Sequence, residues 1–270
     1  MAYIELSDGT PLYYREAGDG RPLVLLQALM FPADYFWQKN IAALARTNRV
    51  IALDMRGQGQ SAKPNFGYTI ERLARDLHEV FEQLDLRDVT LAGLALGALV
   101  ILEYYKTHGR DRLGRLALMD FTPRLVSAPG WEHPTFGDFP TEAADAYADT
   151  VRADRTVLKD FLAGSFADMP PADIFFEMAA QCYLTPTEAA AQLIEDMVRQ
   201  DLRDVVGTIT LPTLLIYGGP KNKTLPTAIG PWLQSRIAGC ELVVFEESGH
   251  CPFWEEPDKF NDVLSRFAAG

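Results

Sequence analysis

The sequence lacks the residues and patterns that mark several large classes of protein. Of its 270 residues only three are cysteine and four are histidine, and their scattered positions match neither a zinc motif nor a disulfide framework. Basic residues are outnumbered, because 25 lysines and arginines face 37 acidic residues, which leaves a net charge of −12. Such an acidic chain repels phosphate groups and anionic lipids, so we expect neither nucleic acid nor a membrane as its partner.

Longer signals are missing as well. No apolar run approaches the roughly 18 residues that a membrane-spanning helix needs, and the first residues show no basic or apolar segment typical of a secretory leader. Three cysteines without a pairing pattern are typical of a reducing compartment, so we expect a cytoplasmic protein. Because no phosphate-binding loop and no cluster of metal-ligating residues occurs, we expect no metal and no other cofactor. The oligomeric state stays open.

The sequence does contain a regular alternation of short apolar segments and longer segments with helical spacing. The predicted strands cover residues 12–15, 22–27, 49–54, 89–93, 116–120, 212–218 and 241–245. The predicted helices cover residues 36–45, 69–84 with Thr69 as N-cap, 96–105, and a last segment that starts at Pro257. Nearly continuous apolar strands that alternate with helices favour an α/β fold with a mostly parallel sheet, covered on both faces.

Residues 123–206 break this alternation. They contain no convincing strand and are rich in alanine, aspartate and aromatic residues. We therefore predict a helical cap over residues 123–206, inserted into an α/β core formed by residues 1–122 and 207–270. Most of the aromatic side chains are expected to form the cap's own core, and one or two to face a pocket. Trp131 and Phe136 are our candidates for substrate contacts.

The most informative motif follows the predicted strand at 89–93, where the chain reads Gly-Leu-Ala-Leu-Gly over residues 93–97. It resembles the G-x-S-x-G nucleophile elbow of the α/β-hydrolase family, with Ala95 where serine belongs. Three more segments resemble loops of that family, the last of them in its esterases and haloperoxidase-like members: residues 54–61, 248–257 and 119–124. The resemblance covers nearly the whole chain, and it implies the α/β-hydrolase fold.

The resemblance also implies a general base and an acid that orients it. His250 matches the family's catalytic histidine, whose ordinary pKa near neutrality lets it accept and return a proton. The acid usually follows the strand at 212–218, but residues 219–223 contain no carboxylate. Some members place the acid after the preceding strand, where Asp120 stands, so we predict Asp120 for this role. Asp54 is the alternative acid, although we expect it to anchor its own loop.

The oxyanion hole of the family uses two backbone N–H groups, which correspond here to Leu29 and Leu96. The loop that carries the first donor usually reads His-Gly-x, whereas this chain has Gln27 and Ala28 before Leu29. Backbone donors tolerate such changes of side chain. We expect the pocket to bind a hydrophobic small molecule, with contacts from this loop and from the segment after the strand at 116–120, namely Gln27, Ala28, Met30, Phe31 and Phe121.

Ala95 leaves three interpretations open, because alanine cannot attack a carbonyl carbon. In the first, which we favour, the chain is an ester or lactone hydrolase of the Ser-His-Asp type, inactivated by alanine at the nucleophile position. In the second, it is a natural non-hydrolytic enzyme of the same fold, a cofactor-independent oxygenase, lyase or cyclase that uses His250 and Asp120 as its base. In the third, it is a non-catalytic protein that binds a small ligand.

Overall fold

The centre of the fold is an eight-stranded sheet, seen in a computed structural model that describes residues 2–270. The strand order is β1-β2-β4-β3-β5-β6-β7-β8. The first two strands are antiparallel to their neighbours, and the other six run parallel to one another. The strands are β1 (Ala2–Glu5), β2 (Pro11–Ala17), β3 (Arg21–Leu26), β4 (Asn48–Leu53), β5 (Val89–Leu94), β6 (Leu113–Met119), β7 (Thr213–Gly218) and β8 (Glu241–Phe245).

Twelve α-helices are found among the described residues, together with one short 3₁₀ turn at Thr135–Gly137. The helices are α1 (Ala33–Phe36), α2 (Ile41–Leu44), α3 (Ile70–Gln83), α4 (Leu96–His108), α5 (Thr141–Ala153), α6 (Val157–Gly164), α7 (Ala172–Cys182), α8 (Thr187–Arg199), α9 (Arg203–Val206), α10 (Ile229–Gln234), α11 (Pro252–Glu255) and α12 (Pro257–Ala269). Among residues 2–270, no helix combines the length and the apolarity needed to cross a membrane.

Two predicted helix starts are confirmed, and one predicted helix is wrong. The hydroxyl of Thr69 accepts a hydrogen bond from the N–H of Arg72 and caps α3, and Pro257 opens α12. The single helix predicted over residues 36–45 is instead the two short helices α1 and α2. Asn40 lies between them, and its buried amide donates to the carbonyl of Phe253 at 3.0 Å, a contact that helical periodicity does not reveal.

Helices cover both faces of the sheet, as the apolar strands predict. In β3 the side chains of Val24 and Leu26 join the core beneath α3 and α4, whereas Leu23 and Leu25 join the core beneath α1, α2 and α12. Because neighbouring side chains of a strand point to opposite faces, a strand buried on both faces must be apolar at every position. The parallel strands end together at one edge, and the loops that follow them meet there.

Helices α5 to α9 form an insertion between β6 and β7, where we expected a cap. Contrary to expectation, the core of this insertion consists mainly of small and aliphatic side chains from α5 and α8, such as Ala144, Ala148, Val151, Ala190 and Ile194. Several of its aromatic side chains instead line a cavity above the carboxyl ends of the strands. The exact boundaries of the cap at residues 123 and 206 stay a prediction.

Candidate active site

The turn between β5 and α4 has the backbone shape of a nucleophile elbow. Ala95 is held there with φ 50° and ψ −107°, a conformation that L-residues rarely adopt and that costs about 1–3 kcal/mol. Both flanking glycines are required by the space around them. A Cβ atom on Gly93 would lie 2.6 Å from the carbonyl carbon of Gly97, and one on Gly97 would lie 2.7 Å from the carbonyl oxygen of Leu26. The strained turn is therefore built around a residue that has no hydroxyl.

His250 and Asp120 lie close together at the same edge of the sheet. Asp120 follows β6 and is fully buried, and His250 follows β8 and is 5% exposed. The imidazole Nδ1 of His250 is 3.4 Å from Oδ1 of Asp120. This is an ion-pair distance rather than a short hydrogen bond, and catalytic pairs often tighten only when substrate binds. The backbone N–H of His250 donates to the carbonyl of Ser165 at 2.8 Å and thereby connects the loop after β8 to the cap.

The loop after β7 contains no carboxylate, and instead the side-chain amide of Asn222 donates to the acid Asp120. Nδ2 of Asn222 donates to Oδ1 of Asp120 at 3.0 Å and to Oδ2 at 2.8 Å. The N–H of Gly218 donates to Oδ2 at 3.3 Å. Asn222 is absent from the predicted site, because the family's acid position predicts a carboxylate and residues 219–223 contain none. The signal was its position, because this loop is where the family's acid usually lies.

Asp54 serves its own loop, as we expected of the alternative acid. Its carboxylate accepts hydrogen bonds from the N–H of Ala33 at 2.5 Å and from the N–H of Gln60 at 2.6 Å. Burial raises the pKa of Asp54 to about 6, against the opposing effect of these two hydrogen bonds. Asp54 thereby joins the loop after β4 to the chain that leaves the loop after β3.

Two backbone N–H groups at this edge are free to bind an oxyanion. Among residues 2–270, neither the N–H of Leu29 nor that of Leu96 donates to a protein atom, and both residues line the cavity. The loop around Leu29 is fixed from below, since the N–H of Met30 donates to Oε1 of Gln58 at 2.7 Å. Gln58 is a second residue absent from the predicted site, because only the folded chain brings it to Met30.

Each of the three loops that build this site holds a non-glycine residue with a positive φ angle. Met30 after β3, Ala95 after β5 and Asp120 after β6 all have positive φ, at 77°, 50° and 36°. Non-glycine residues adopt such angles at a cost, and they tend to occur where the surrounding structure enforces them at functional sites. The three strained residues share one cavity.

The cavity has a volume of about 160 Å³, and nearly all of its walls are apolar. Ala28, Leu29, Met30 and Phe31 form part of the floor, together with Ala95, Leu96 and Phe121. The roof comes from the cap, with Phe136, Phe139, Tyr147, Phe161, Phe166, Met178, Ile194 and Met197. No lysine or arginine is among the described residues that line it. Such walls suit a neutral, hydrophobic ligand.

Two residues predicted to contact substrate lie elsewhere, and those predictions need correction. Gln27 is fully buried, and its Nε2 donates to the carbonyl of Phe31 at 3.1 Å, so its side chain supports the loop from beneath. Trp131 packs edge-on against Trp232 at a centroid distance of 5.0 Å, and its Nε1 donates to the carbonyl of Arg124. Neither side chain lines the cavity. Each side chain donates to a backbone carbonyl within seven residues of it in the sequence, a choice that residue type and spacing do not predict.

No group of three or more metal-ligating side chains lies close together in the part of the chain that the structure describes. The cavity's ionisable side chains are confined to His250, Asp120 and the less acidic tyrosines and cysteines. The arrangement therefore combines one general base, its carboxylate partner and two backbone donors facing an apolar space. This set of groups can take a proton and stabilise an oxyanion, the two tasks that carbonyl chemistry requires.

The fold and this site define an α/β-hydrolase. The chain belongs to the alpha/beta hydrolase family, whose model matches residues 23–263. It is 28% identical to the non-heme chloroperoxidase CPO-A1 of Kitasatospora aureofaciens over 96% of both chains. Among solved structures, it is similar to the esterase EaEST of Exiguobacterium antarcticum, with a TM-score of 0.91, 28% identity and 99% of both chains covered.

A bromoperoxidase from Bacillus anthracis is a further structural neighbour, with a TM-score of 0.89 and 26% identity. The match covers 97% of this chain and 96% of the bromoperoxidase. The fold class and the family predicted from residues 93–97 and the accompanying loops are thus confirmed. The chain is a member of an enzyme family whose relatives include esterases and non-heme haloperoxidases.

Proposed function

We propose that this protein acts on the carbonyl group of a hydrophobic ester or lactone. His250 is the general base, Asp120 orients its imidazole, and the N–H groups of Leu29 and Leu96 bind the oxyanion. One observation carries the proposal. The buried His250–Asp120 pair borders the same apolar cavity as two backbone N–H groups that donate to no atom of the described residues. The esterase among the structural neighbours supports this substrate class.

The proposed route for a serine at position 95 follows from these groups. The serine Oγ attacks the carbonyl carbon while Nε2 of His250 takes its proton, and the oxyanion is held by the two N–H groups. His250 then returns the proton to the leaving alkoxide, and an acyl-enzyme remains. Water, activated by His250, hydrolyses this ester in a second round. Ala95 removes the first bond-forming step, so we expect the chain as it stands to be inactive in this reaction.

The direct test is to supply the hydroxyl. We expect Ala95→Ser to raise the hydrolysis of 4-nitrophenyl butyrate and hexanoate by about 10³-fold or more, since loss of the serine in such sites costs several orders of magnitude. Ala28→Ser is the matched control, because it also adds a hydroxyl to a cavity-lining alanine but not at the elbow. If Ala95→Ser is no faster than the parent chain, the proposal of an ester hydrolase is wrong.

A second candidate function is favoured because the general base and its acid are both present although the nucleophile is absent. Abstraction of a proton next to a carbonyl needs a base and an oxyanion hole but no covalent intermediate. The non-hydrolytic interpretation predicts that the parent chain exchanges the α-hydrogens of a hydrophobic ketone in D₂O, measured by NMR, and that His250→Ala abolishes the exchange. Binding of the ketone by both proteins without exchange would instead support a small-ligand binding protein.

A further inference from the structure

We propose that Asn222 is the positioning residue that replaces the family's usual acid, holding the carboxylate of Asp120 against His250. The inference deepens the proposed function, since it concerns how the base of that site is oriented. It follows from a geometrical fact: both oxygens of Asp120 accept from the same amide group, at 3.0 and 2.8 Å. An amide that bridges both oxygens restrains rotation of the carboxylate as well as its position.

The orientation of the Asn222 amide is fixed by its own oxygen. Oδ1 of Asn222 accepts from the N–H of Thr224 at 2.9 Å and from the N–H of Leu225 at 3.3 Å. An amide has one accepting end and one donating end. With the accepting end held by two backbone donors, the donating end must face Asp120. The turn at 222–225 therefore points the Nδ2 group at the acid, between its two oxygens.

The arrangement explains why this loop can lack a carboxylate. Asp120 and residue 222 are within hydrogen-bond distance, so two carboxylates there would repel each other and share a proton. A neutral side chain at position 222 avoids this repulsion. Asparagine keeps the turn through its oxygen and donates to Asp120 through its nitrogen. The hydrogen bond from Asn222 uses one lone pair of Oδ1 and leaves the other for Nδ1 of His250, which lies 3.4 Å away.

The substitution Asn222→Asp removes the amide donor but keeps an oxygen that can hold the turn. The new carboxylate can still accept from Thr224 and Leu225, so the loop keeps its shape, but it can no longer donate to Asp120. We expect the two carboxyl groups to share one proton near neutral pH, visible by ¹³C NMR as a carboxyl titration above about pH 6. Two independent carboxyl titrations below about pH 5 would overturn the proposal.

The second readout is the tautomer of the neutral His250 ring, measured by ¹⁵N NMR without any need for activity. We expect the proton on Nδ1 in the parent, and a shift of the population toward Nε2–H in both Asn222→Asp and Asn222→Ala. Asn48→Asp is the control, because Asn48 is a buried amide at the start of β4, the opposite end of the sheet. A parent-like tautomer in both Asn222 variants would refute the positioning role.

This test is independent of the hydrolase proposal. If Ala95→Ser is inactive while the tautomer shifts as expected, the hydrolase proposal fails and the role of Asn222 stands. If Ala95→Ser is active, we expect Asn222→Asp in that background to shift the rise of kcat/KM to higher pH. The proton shared by the carboxyl groups at positions 120 and 222 must then leave before Asp120 can orient His250. Superimposable pH profiles would contradict the proposal.

Discussion

The elbow and the base are two neighbouring regions that differ in which parts of a hydrolase site are present. At the elbow, the backbone is intact and the side chain is absent: Ala95 is strained, Gly93 and Gly97 have no room for a Cβ atom, and no hydroxyl is present. At the base, the side chains of His250 and Asp120 are present, but the surrounding loop differs, with Asn222 where an acid is usual.

The comparison teaches that conformation and chemistry are separable in one site. A turn that costs about 1–3 kcal/mol is retained without the group it usually presents, while the base that would activate this group remains paired. On the proposed function, every group that carbonyl chemistry needs is present except the hydroxyl at position 95. Experiments that restore, remove or relax parts of the two regions can show whether they still act together.

The largest effect is expected from removing the base in the Ala95→Ser protein. His250→Ala or Asp120→Asn should lower its kcat/KM for 4-nitrophenyl butyrate by about 10³-fold or more, because the serine is no longer deprotonated. His108→Ala is the control, since His108 ends α4 at the far end from the elbow. A loss under tenfold would mean that the base and the elbow do not cooperate.

Substitution of an elbow glycine should have the largest effect on the free energy of unfolding. Gly97→Ala is expected to lower the free energy of unfolding by about 2–3 kcal/mol, because the added Cβ meets the carbonyl oxygen of Leu26 at 2.7 Å. Gly164→Ala, where a Cβ would meet nothing within 4 Å, should change it little. Urea denaturation measures both. Equal stability of the two variants would show that the elbow is not tightly packed against β3.

The loop on the oxyanion side should make stability depend on pH through Asp54. Burial raises its folded-state pKa from 3.8 to about 6, so its contribution to stability is full below about pH 4 and is lost as the pH rises through about 6. Relative to Asp54→Asn, the parent should lose about 2 kcal/mol between pH 4.5 and pH 7. Denaturation of both proteins at the two pH values tests this, and a constant difference would contradict it.

The smallest effect is expected from relaxing the elbow itself. Ala95→Gly should raise the free energy of unfolding by about 1 kcal/mol, since glycine adopts the positive φ without strain although it gains entropy when unfolded. The melting temperature should rise by a few degrees. A decrease would mean that the Ala95 methyl group contributes more by packing than its backbone costs.

Local sequence signals predicted much of the fold and the placing of the central groups. The apolar strands, the Thr69 cap and Pro257 all act within a few residues, so their consequences can be read from the sequence. Likewise, the loops that carry Ala95, Asp120 and His250 follow strands that end at one edge of the sheet. These three residues meet in the cavity for that reason.

Contacts between distant segments could not be predicted in the same way. Asn40, between α1 and α2, donates to Phe253, 213 positions later, and Asn222 reaches Asp120 across 102 positions. Even a partner close in the sequence was not predicted, because Gln27 donates to a carbonyl four residues along instead of lining the cavity. A polar side chain selects among the partners that the folded chain brings to it, and periodicity carries no information about that choice.

The most direct test of the central claim is labelling of the elbow by a fluorophosphonate that carries an apolar chain. We expect the Ala95→Ser protein to form one covalent adduct, located by mass spectrometry on the side chain at position 95, and the parent to form none there. His250→Ala in the Ala95→Ser protein should slow the labelling strongly. Absence of an adduct in folded Ala95→Ser protein, or equal labelling with and without His250, would contradict a prepared elbow served by an intact base.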